Sequence, residues 1–353
     1  RVLGERYRLE HRIGVGGMSE VWRGHDDVLD RPVAVKLIAP HLAEADAVVE
    51  QVRTEARSAA RLAHPNVASV HDFGMSSLLP GQPAPYIVME LVEGETLADH
   101  LRAGPFDWQI AVRVCAEVAA ALAAAHVHGI VHRDVKPANI ILTPAGVKVL
   151  DFGIAAIAGE PDSGLDGTIV GTPAFVAPER LEADGVTPAT PAADVYALGV
   201  LLYLCLARQL PWTPSDLPGV PPNAIPPGVD PAPLPEIPGL PDEVAQLCLQ
   251  CINRDPDARP TSFAVALLLA EAVDAQVYVP LAGPSPVSRD GAAAQWEEAT
   301  DVLEPPGRHR ADPEEGPVRE RGEHPGGDQR AVVGREGGQQ VAEGEADARR
   351  RPA

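Results

Sequence analysis

His132-Arg133-Asp134-Val135-Lys136-Pro137-Ala138-Asn139 follows directly on Trp108 to His128, an apolar, alanine-rich stretch whose spacing predicts a helix. Six specified positions in such a run arise by chance on the order of once in a hundred thousand chains, well beyond a short-motif coincidence. Asp134 is suited to accept a hydroxyl proton and Lys136 to neutralise a transferring phosphoryl group. Asn139 offers an amide oxygen to a divalent cation.

Working outward toward the C-terminus, a strand-like run Val147 to Leu150 leads into Asp151-Phe152-Gly153. A strand-end carboxylate beside glycine suits Mg²⁺, which prefers hard oxygen donors and keeps several ligands from phosphate and water. Asp151 with Asn139 is a sensible minimal protein set. Lys148, inside the strand, reads as a solvated residue.

Toward the N-terminus, Val33-Ala34-Val35-Lys36 places a lysine on a strand with apolar neighbours. Only Lys36, Lys136 and Lys148 are lysines among 29 basic residues, so a retained lysine marks a place where a compact ammonium is preferred to a planar fork. Glu44 to Leu62 has helical spacing and carries Glu55 toward the sheet, within reach of Lys36. The turn Gly14-Val15-Gly16-Gly17-Met18-Ser19-Glu20-Val21 joins two predicted strands, Tyr7 to Ile13 and Glu20 to Gly24. Its glycines admit phosphate oxygens close to backbone N–H groups. A dinucleotide-binding loop would instead run from a strand into a helix. Further strands are read at Pro32 to Ile38, Ala68 to Phe73 and Tyr86 to Leu91, and a second long helix at Pro191 to Ala207.

Composition limits the function classes. The net charge of −21 repels phosphate backbones and anionic lipids, which argues against a nucleic-acid partner. The unbroken apolar run Ala197 to Ala207 has 11 residues, too few to cross a bilayer core, so no membrane span is expected. Cys115, Cys205, Cys248 and Cys251 are too few and scattered for a disulfide scaffold and fit a reducing cytoplasm. Cys248 and Cys251 read as core packing on a helix, His132 as a structural residue beneath the loop, and His64 as a loop residue. Pro211 to Pro241 carries 12 prolines in 31 residues, which predicts an extended surface excursion. From Pro305 to Ala353 there is no Phe, Tyr or Trp, and a disordered tail is expected.

Taken in order, the glycine-rich turn, Lys36, Glu55, the 132–139 run, Asp151-Phe152-Gly153 and Ala177-Pro178-Glu179 resemble the eukaryotic-like serine/threonine protein kinases of bacteria, from Tyr7 to Val273. The resemblance implies an α+β, two-lobed protein kinase fold. An antiparallel β-rich N-lobe with one helix would occupy about 7–91 and a larger helical C-lobe about 93–273, followed by a linker, 274–304, and the tail, 305–353.

The same resemblance implies an ATP- and Mg²⁺-dependent kinase acting on protein Ser and Thr hydroxyls, itself included. Asp134 would be the base, Asn139 and Asp151 the Mg²⁺ ligands, and Lys36, positioned by Glu55, the contact to the α- and β-phosphates. Gly14, Gly16 and Gly17 would cover the phosphates. Val21, Ala34 and Ile141 would sandwich the adenine, with Met89 at the rear and Glu90 to Val92 as the hinge. Glu179 would pair with Arg259, and Asp194 would anchor the catalytic loop. Gly171-Thr172 and Lys136 match the serine/threonine pattern, with Thr172 positioning substrate. Thr168, then Ser163, are the expected activation-loop phosphosites, with Arg133 receiving the phosphate. Apart from the resemblance, the accessibility of the acidic segment Glu297-Glu298-Ala299-Thr300-Asp301-Val302-Leu303 makes Thr300 a further expected phosphosite, which would recruit a phosphopeptide-binding partner. The resemblance also raises pairing of two copies through the N-lobe.

Overall fold

A computed structural model describes residues 1–16, 19–39, 46–79, 82–105, 107–152, 173–182, 189–212 and 230–280. Gly17, Gly153, Ser163, Thr168, Gly171, Thr172 and Thr300 lie outside the described residues, as do 213–229 of the proline-rich stretch and the whole tail. Contacts divide the chain into two units, Arg1–Ser288 and Arg289–Ala353, and every described residue belongs to the first.

Strands β1 (Val2–Leu3), β2 (Tyr7–Val15), β3 (Ser19–Asp26), β4 (Arg31–Ile38), β5 (Val70–Leu79) and β6 (Gln82–Glu90) form an antiparallel sheet in the order β1-β2-β3-β4-β6-β5. Strand β4 is central, and its two-residue period serves two clusters. Val33, Val35 and Leu37 pack with Leu3, Tyr7, Leu9, Tyr86 and Val88. Ala34 and Ile38 turn the other way, against Val52, Ala56, Ile87 and Met89. Lys36 shares the parity of Ala34 and Ile38, so the strand's alternation delivers its side chain to the face covered by α1 (Asp46–Ala59). On α1, Val52, Ala56 and Ala59 are buried at helical spacing, and Glu55 stands on that same face.

The second sheet, β7 (Glu95–Thr96), β8 (Ile140–Thr143) and β9 (Gly146–Val149), lies next in the chain beside helices α2 (Leu97–Ala103), α3 (Trp108–Val127), α4 (Pro178–Glu182), α5 (Pro191–Ala207), α6 (Asp242–Cys251) and α7 (Ser262–Ala272). Helix α3 is long and apolar enough to cross a membrane, which the unbroken-run criterion overlooked because Arg113 and Glu117 interrupt its sequence. It packs instead against α5 and α7 in the largest core cluster, with residues such as Val112, Cys115, Ala119 and Leu122 fully buried. A helix apolar on all sides is the signature of a core helix.

Helix α5 begins with Pro191, whose fixed φ suits the first helical position. Its Gly199 is required by packing: a Cβ there would stand 2.6 Å from Cys251 Cβ and 2.8 Å from Ile252 Cγ2. Cys248 and Cys251 are buried at that crossing, and the Cys248 thiol faces Gly199 O at 3.6 Å. Burial pushes the Cys251 thiol up to about 12. In the described parts of the proline-rich stretch, 211–212 and 230–241, there is no helix or strand.

Candidate active site

The 132–139 run leaves α3 and hangs from Asp194 in the first turn of α5, a carboxylate only 1% exposed. Its Oδ2 accepts the His132 N–H at 2.7 Å and its Oδ1 accepts the Arg133 N–H at 2.8 Å. Arg133 has φ +71, a left-handed conformation that costs a non-glycine residue about 1 kcal/mol and persists only where its surroundings over-determine it. The two hydrogen bonds to Asp194 supply that constraint. His126 joins the anchor, with Nε2 at 2.8 Å from Asp194 Oδ2 and Nδ1 at 2.8 Å from Ser262 Oγ.

Beneath the loop, His132 is fully buried and stacks edge-on against Phe152, their centroids 4.6 Å apart. Nε2–H donates to Leu150 O at 2.8 Å and Nδ1 accepts the Asp134 N–H at 3.2 Å. One ring thus ties the strand before Asp151 to the loop that carries Asp134, the structural role read from the sequence.

Asp134 is the centre of a compact polar group. Lys136 Nζ lies 2.7 Å from Asp134 Oδ2. Asn139, at the end of a short 3₁₀ turn, Pro137–Asn139, donates from Nδ2 to Asp134 O at 2.7 Å and to Asp134 Oδ2 at 2.8 Å. Both acceptors are oxygens, so the Asn139 amide must present its NH₂ to them, leaving its oxygen for a cation. Leu150 N donates to Asn139 O at 2.9 Å, bringing Asn139 beside the strand end that carries Asp151. Asp151 has φ +62. An amide oxygen and a carboxylate are the hard donors Mg²⁺ takes, with phosphate and water completing its shell. Among the described residues no three His, Cys, Asp or Glu side chains converge as a metal cluster of their own.

Above the loop, Val21 and Ala34 join the cluster that contains Met89 and Leu91. Ala34 faces Met89 across β4 and β6, and Lys36 faces Val21 across β3 and β4. Gly14 and Gly16 close the β2–β3 turn, where Gly16 N donates to Ser19 O at 2.8 Å. Val92 is half-buried after β6, and Ile141 is half-buried on β8 opposite Lys148. A side chain at Gly94 would strike Leu142 O at 2.2 Å and Ile141 Cγ2 at 2.7 Å, so the segment after β6 closes directly on β8.

A family model for the protein kinase domain matches residues 7–274. This chain belongs to the protein kinase family. The kinase domain is 39% identical over 259 residues to serine/threonine-protein kinase PknA of Mycobacterium tuberculosis, covering 73% of this chain and 58% of that protein. It is 42% identical over 213 residues to serine/threonine-protein kinase PknB of Mycobacterium leprae, covering 60% of this chain and 34% of that one. The chain therefore spans little more than half, or a third, of these relatives. The crystal structure of the Mycobacterium tuberculosis PknI kinase domain shares the fold, with TM-score 0.59 and 23% identity over 77% of this chain and 98% of that one.

The kinase domain corrects two expectations. Lys36, 8% exposed, pairs with Asp151 Oδ2 at 3.0 Å and not with Glu55. Glu55 Oε1 faces Arg133 Nη1 and Gln51 Nε2, each at 3.4 Å, while its Oε2 is buried without a hydrogen-bond partner. Burial pushes the Glu55 carboxyl up, opposed by Gln51 and Arg133. The cause is competition: Asp151 offers the buried ammonium a nearer carboxylate, and the kinase domain's own arginine takes Glu55.

Lys148 is not a solvated residue. Its Nζ lies 2.9 Å from Glu90 Oε1 and 3.3 Å from Val67 O. Glu90 Oε2 also accepts the Ser69 N–H at 3.1 Å, and Glu90 N donates to Ser69 O at 2.8 Å. Lys148 thereby fastens the end of β6 to β9 and to the segment before β5. The signal in the sequence was its retention as one of three lysines. The expected pair of Glu179 with Arg259 is present and bidentate, both contacts 2.7 Å.

Proposed function

We propose that the chain is a serine/threonine protein kinase that moves the γ-phosphoryl group of ATP to Ser and Thr hydroxyls of proteins, its own activation loop included. The observation that carries the reading is the Asp134 carboxylate held between Lys136 and Asn139 on a loop suspended from Asp194. A base fixed in this way needs no reorganisation when the acceptor hydroxyl arrives.

In this reading Asp134 accepts the hydroxyl proton and Lys136, 2.7 Å away, offsets the charge that develops on the transferring group. Lys36 leaves Asp151 for the α- and β-phosphates. Gly14, Gly16 and Gly17 cover the phosphates, and Val21, Ala34, Met89, Ile141 and the Glu90–Val92 hinge hold the adenine. Asn139 and Asp151 would hold Mg²⁺, which supplies charge neutralisation along the phosphates.

Thr172 positions the acceptor, and Thr168, then Ser163, are the loop phosphosites. Arg133, one residue before Asp134 with its Nη1 3.4 Å from Glu55 Oε1, is the guanidinium that receives the loop phosphate in this reading. Protein substrates, a phosphopeptide-binding partner at Thr300, N-lobe pairing and the 274–304 linker with its 305–353 tail complete the proposal. The four cysteines are free and buried, which fits a cytoplasmic setting.

The test is acid hydrolysis of the chain after incubation with Mg²⁺ and labelled ATP. Phosphothreonine and phosphoserine are expected, and label confined to phosphotyrosine would overturn the acceptor class.

A further inference from the structure

Helix α7 closes on a sharp turn. Asp274 stands at φ +48 with its N–H donating to Glu271 O at 3.3 Å, and the Ala275 N–H reaches Ala270 O at 2.9 Å. This pair of bonds is the Schellman arrangement, which stops a helix and redirects the chain. From there 275–280 forms neither helix nor strand, yet its burial alternates: Ala275, Val277 and Val279 are half-buried, whereas Gln276 and Tyr278 are exposed. A period of two is that of an extended segment laid along a surface. Val277 and Val279 pack on the core cluster that contains Leu62 and Val67. The matched kinase domain ends at residue 274, so this strap is an addition to it.

One polar contact ties the strap to the turn between α1 and β5. His64 Nε2 lies 2.8 Å from Tyr278 O, across 214 residues of sequence. Nδ1 of the same ring accepts the Asn66 N–H at 3.1 Å, so the proton sits on Nε2 and one neutral ring serves both partners. Burial foremost, with the Lys148 charge and against the Tyr278 carbonyl, pushes the imidazole below its ordinary value and so favours that neutral form. Beyond His64 the bonds continue. Asn66 Nδ2 donates to Val147 O at 2.9 Å and to Glu117 Oε2 at 3.1 Å, and Val149 N donates to Asn66 O at 2.8 Å. Val67 O accepts from Lys148 Nζ, which holds Glu90. Backbone and hydrogen bonds thus run without a gap from Tyr278 to Glu90.

We propose that 275–280 is a strap that, through His64, holds the α1–β5 turn and the Lys148–Glu90 bridge in place for nucleotide binding, which makes His64 a positioning residue. The inference rests on the reading above in which Glu90 begins the adenine-binding hinge, and it adds a control on that site from outside the kinase domain. A contiguous network becomes a coupling only when disturbing either end changes the other, and that is what the variants below measure.

The experiment uses the full chain with Mg²⁺ and ATP. It reads the Kd for ATP, the single-turnover transfer rate at saturating ATP, and amide hydrogen exchange at Ser69 and Glu90. His64→Asn keeps an acceptor for the Asn66 N–H, as an Asx turn does, but is too short to reach Tyr278 O. Val277→Asp loosens the strap from its other side, and Val277→Ser with Val279→Ser is the milder replacement should the charge prevent folding. Each should raise the Kd for ATP about twofold to fivefold, the scale of one lost hydrogen bond. Exchange at both amides should quicken, while the saturated transfer rate changes by less than about twofold. His64→Gln, which restores a donor at longer reach, should recover part of the affinity. His64→Asn combined with Val277→Asp should bind no more weakly than the weaker single variant, since both break one connection.

Normal affinity and exchange in His64→Asn would overturn the proposal, as would effects that add in the combination. A loss confined to His64→Asn would restrict His64 to its own turn and overturn the strap. A chain that binds ATP without transferring phosphate would sink the phosphotransfer reading alone, with affinity and exchange still deciding the strap. A wild type that binds no ATP would overturn the nucleotide reading and this inference with it.

Discussion

Lys36 Nζ lies 3.0 Å from Asp151 Oδ2, joining the two groups that the proposed reaction needs on different parts of ATP. The ammonium is mostly buried, and separating such a pair without replacement partners leaves an uncompensated charge. Phosphate oxygens for Lys36 and a cation for Asp151 are replacements of the right sign. In the proposed reaction, nucleotide binding would exchange one ion pair for two interactions, and Glu55, now facing Arg133, would become the available partner for Lys36.

Replacing Lys36 with Met should lower kcat/KM for transfer by about a hundredfold to a thousandfold, the scale of losing one preorganised charge contact. Single-turnover kinetics on a chain whose circular dichroism is unchanged would check this. Transfer at the wild-type rate would remove Lys36 from the site.

Lys148 holds Glu90 from β9, so Lys148→Met should loosen the proposed adenine-binding hinge and leave the Asp134 group intact. The expected result is a rise in KM for ATP of about threefold to tenfold, with kcat changed less, since the bridge is one partly exposed ion pair. Lys148→Arg should recover part of the loss. A fall in kcat at constant KM would contradict the assignment.

The helical lobe and the chemistry were legible because they rest on local patterns. The Asp134, Lys136 and Asn139 run and the boundaries of α5 depend on residue type at fixed spacing, whereas the Asp194 anchor came only with the family resemblance. Partner choice was less legible. Lys36 had two carboxylates in reach, Asp151 and Glu55, and only distances in three dimensions decide between them. Lys148 found Glu90 across 58 residues of sequence, a separation that no periodicity encodes. The short strand β1 escaped notice because two residues carry no period. Strand β8 was missed because its four residues follow straight on from the catalytic run.

Arg259 is fully buried in its side chain and forms two 2.7 Å contacts to Glu179. Glu179→Ala leaves that guanidinium with backbone carbonyls of Asn253, Ala192 and Arg254 as acceptors but without a counter-charge. Urea unfolding should register a loss of about 3 kcal/mol. A loss below about 1 kcal/mol would reduce the pair to a surface contact.

Asp26 is fully buried beneath a bidentate Arg6, with both contacts at 2.7 Å and the Val28 and Leu29 N–H groups each at 3.2 Å. Arg6 foremost, then these N–H groups, hold its carboxyl well below the usual carboxylate range against the opposing effect of burial. A depressed folded-state value means that the stability Asp26 contributes is present above its unfolded value, about 3.9, and is lost as pH falls toward the folded one. Asp26→Asn should therefore destabilise the chain at pH 7, and the difference from wild type should narrow below about pH 4. Paired urea titrations across that range check the sign, and a difference that widens in acid would contradict it.

The central claim is that Asp134 is the base of a phosphotransferase. The direct measurement is incorporation of labelled phosphate from ATP and Mg²⁺ by wild type and Asp134→Asn side by side, with the modified residues mapped. Incorporation on Thr168 by wild type, and none by the variant despite equal ATP binding, is the predicted result. Equal incorporation by both, or none by a wild-type chain that binds ATP, would contradict the account.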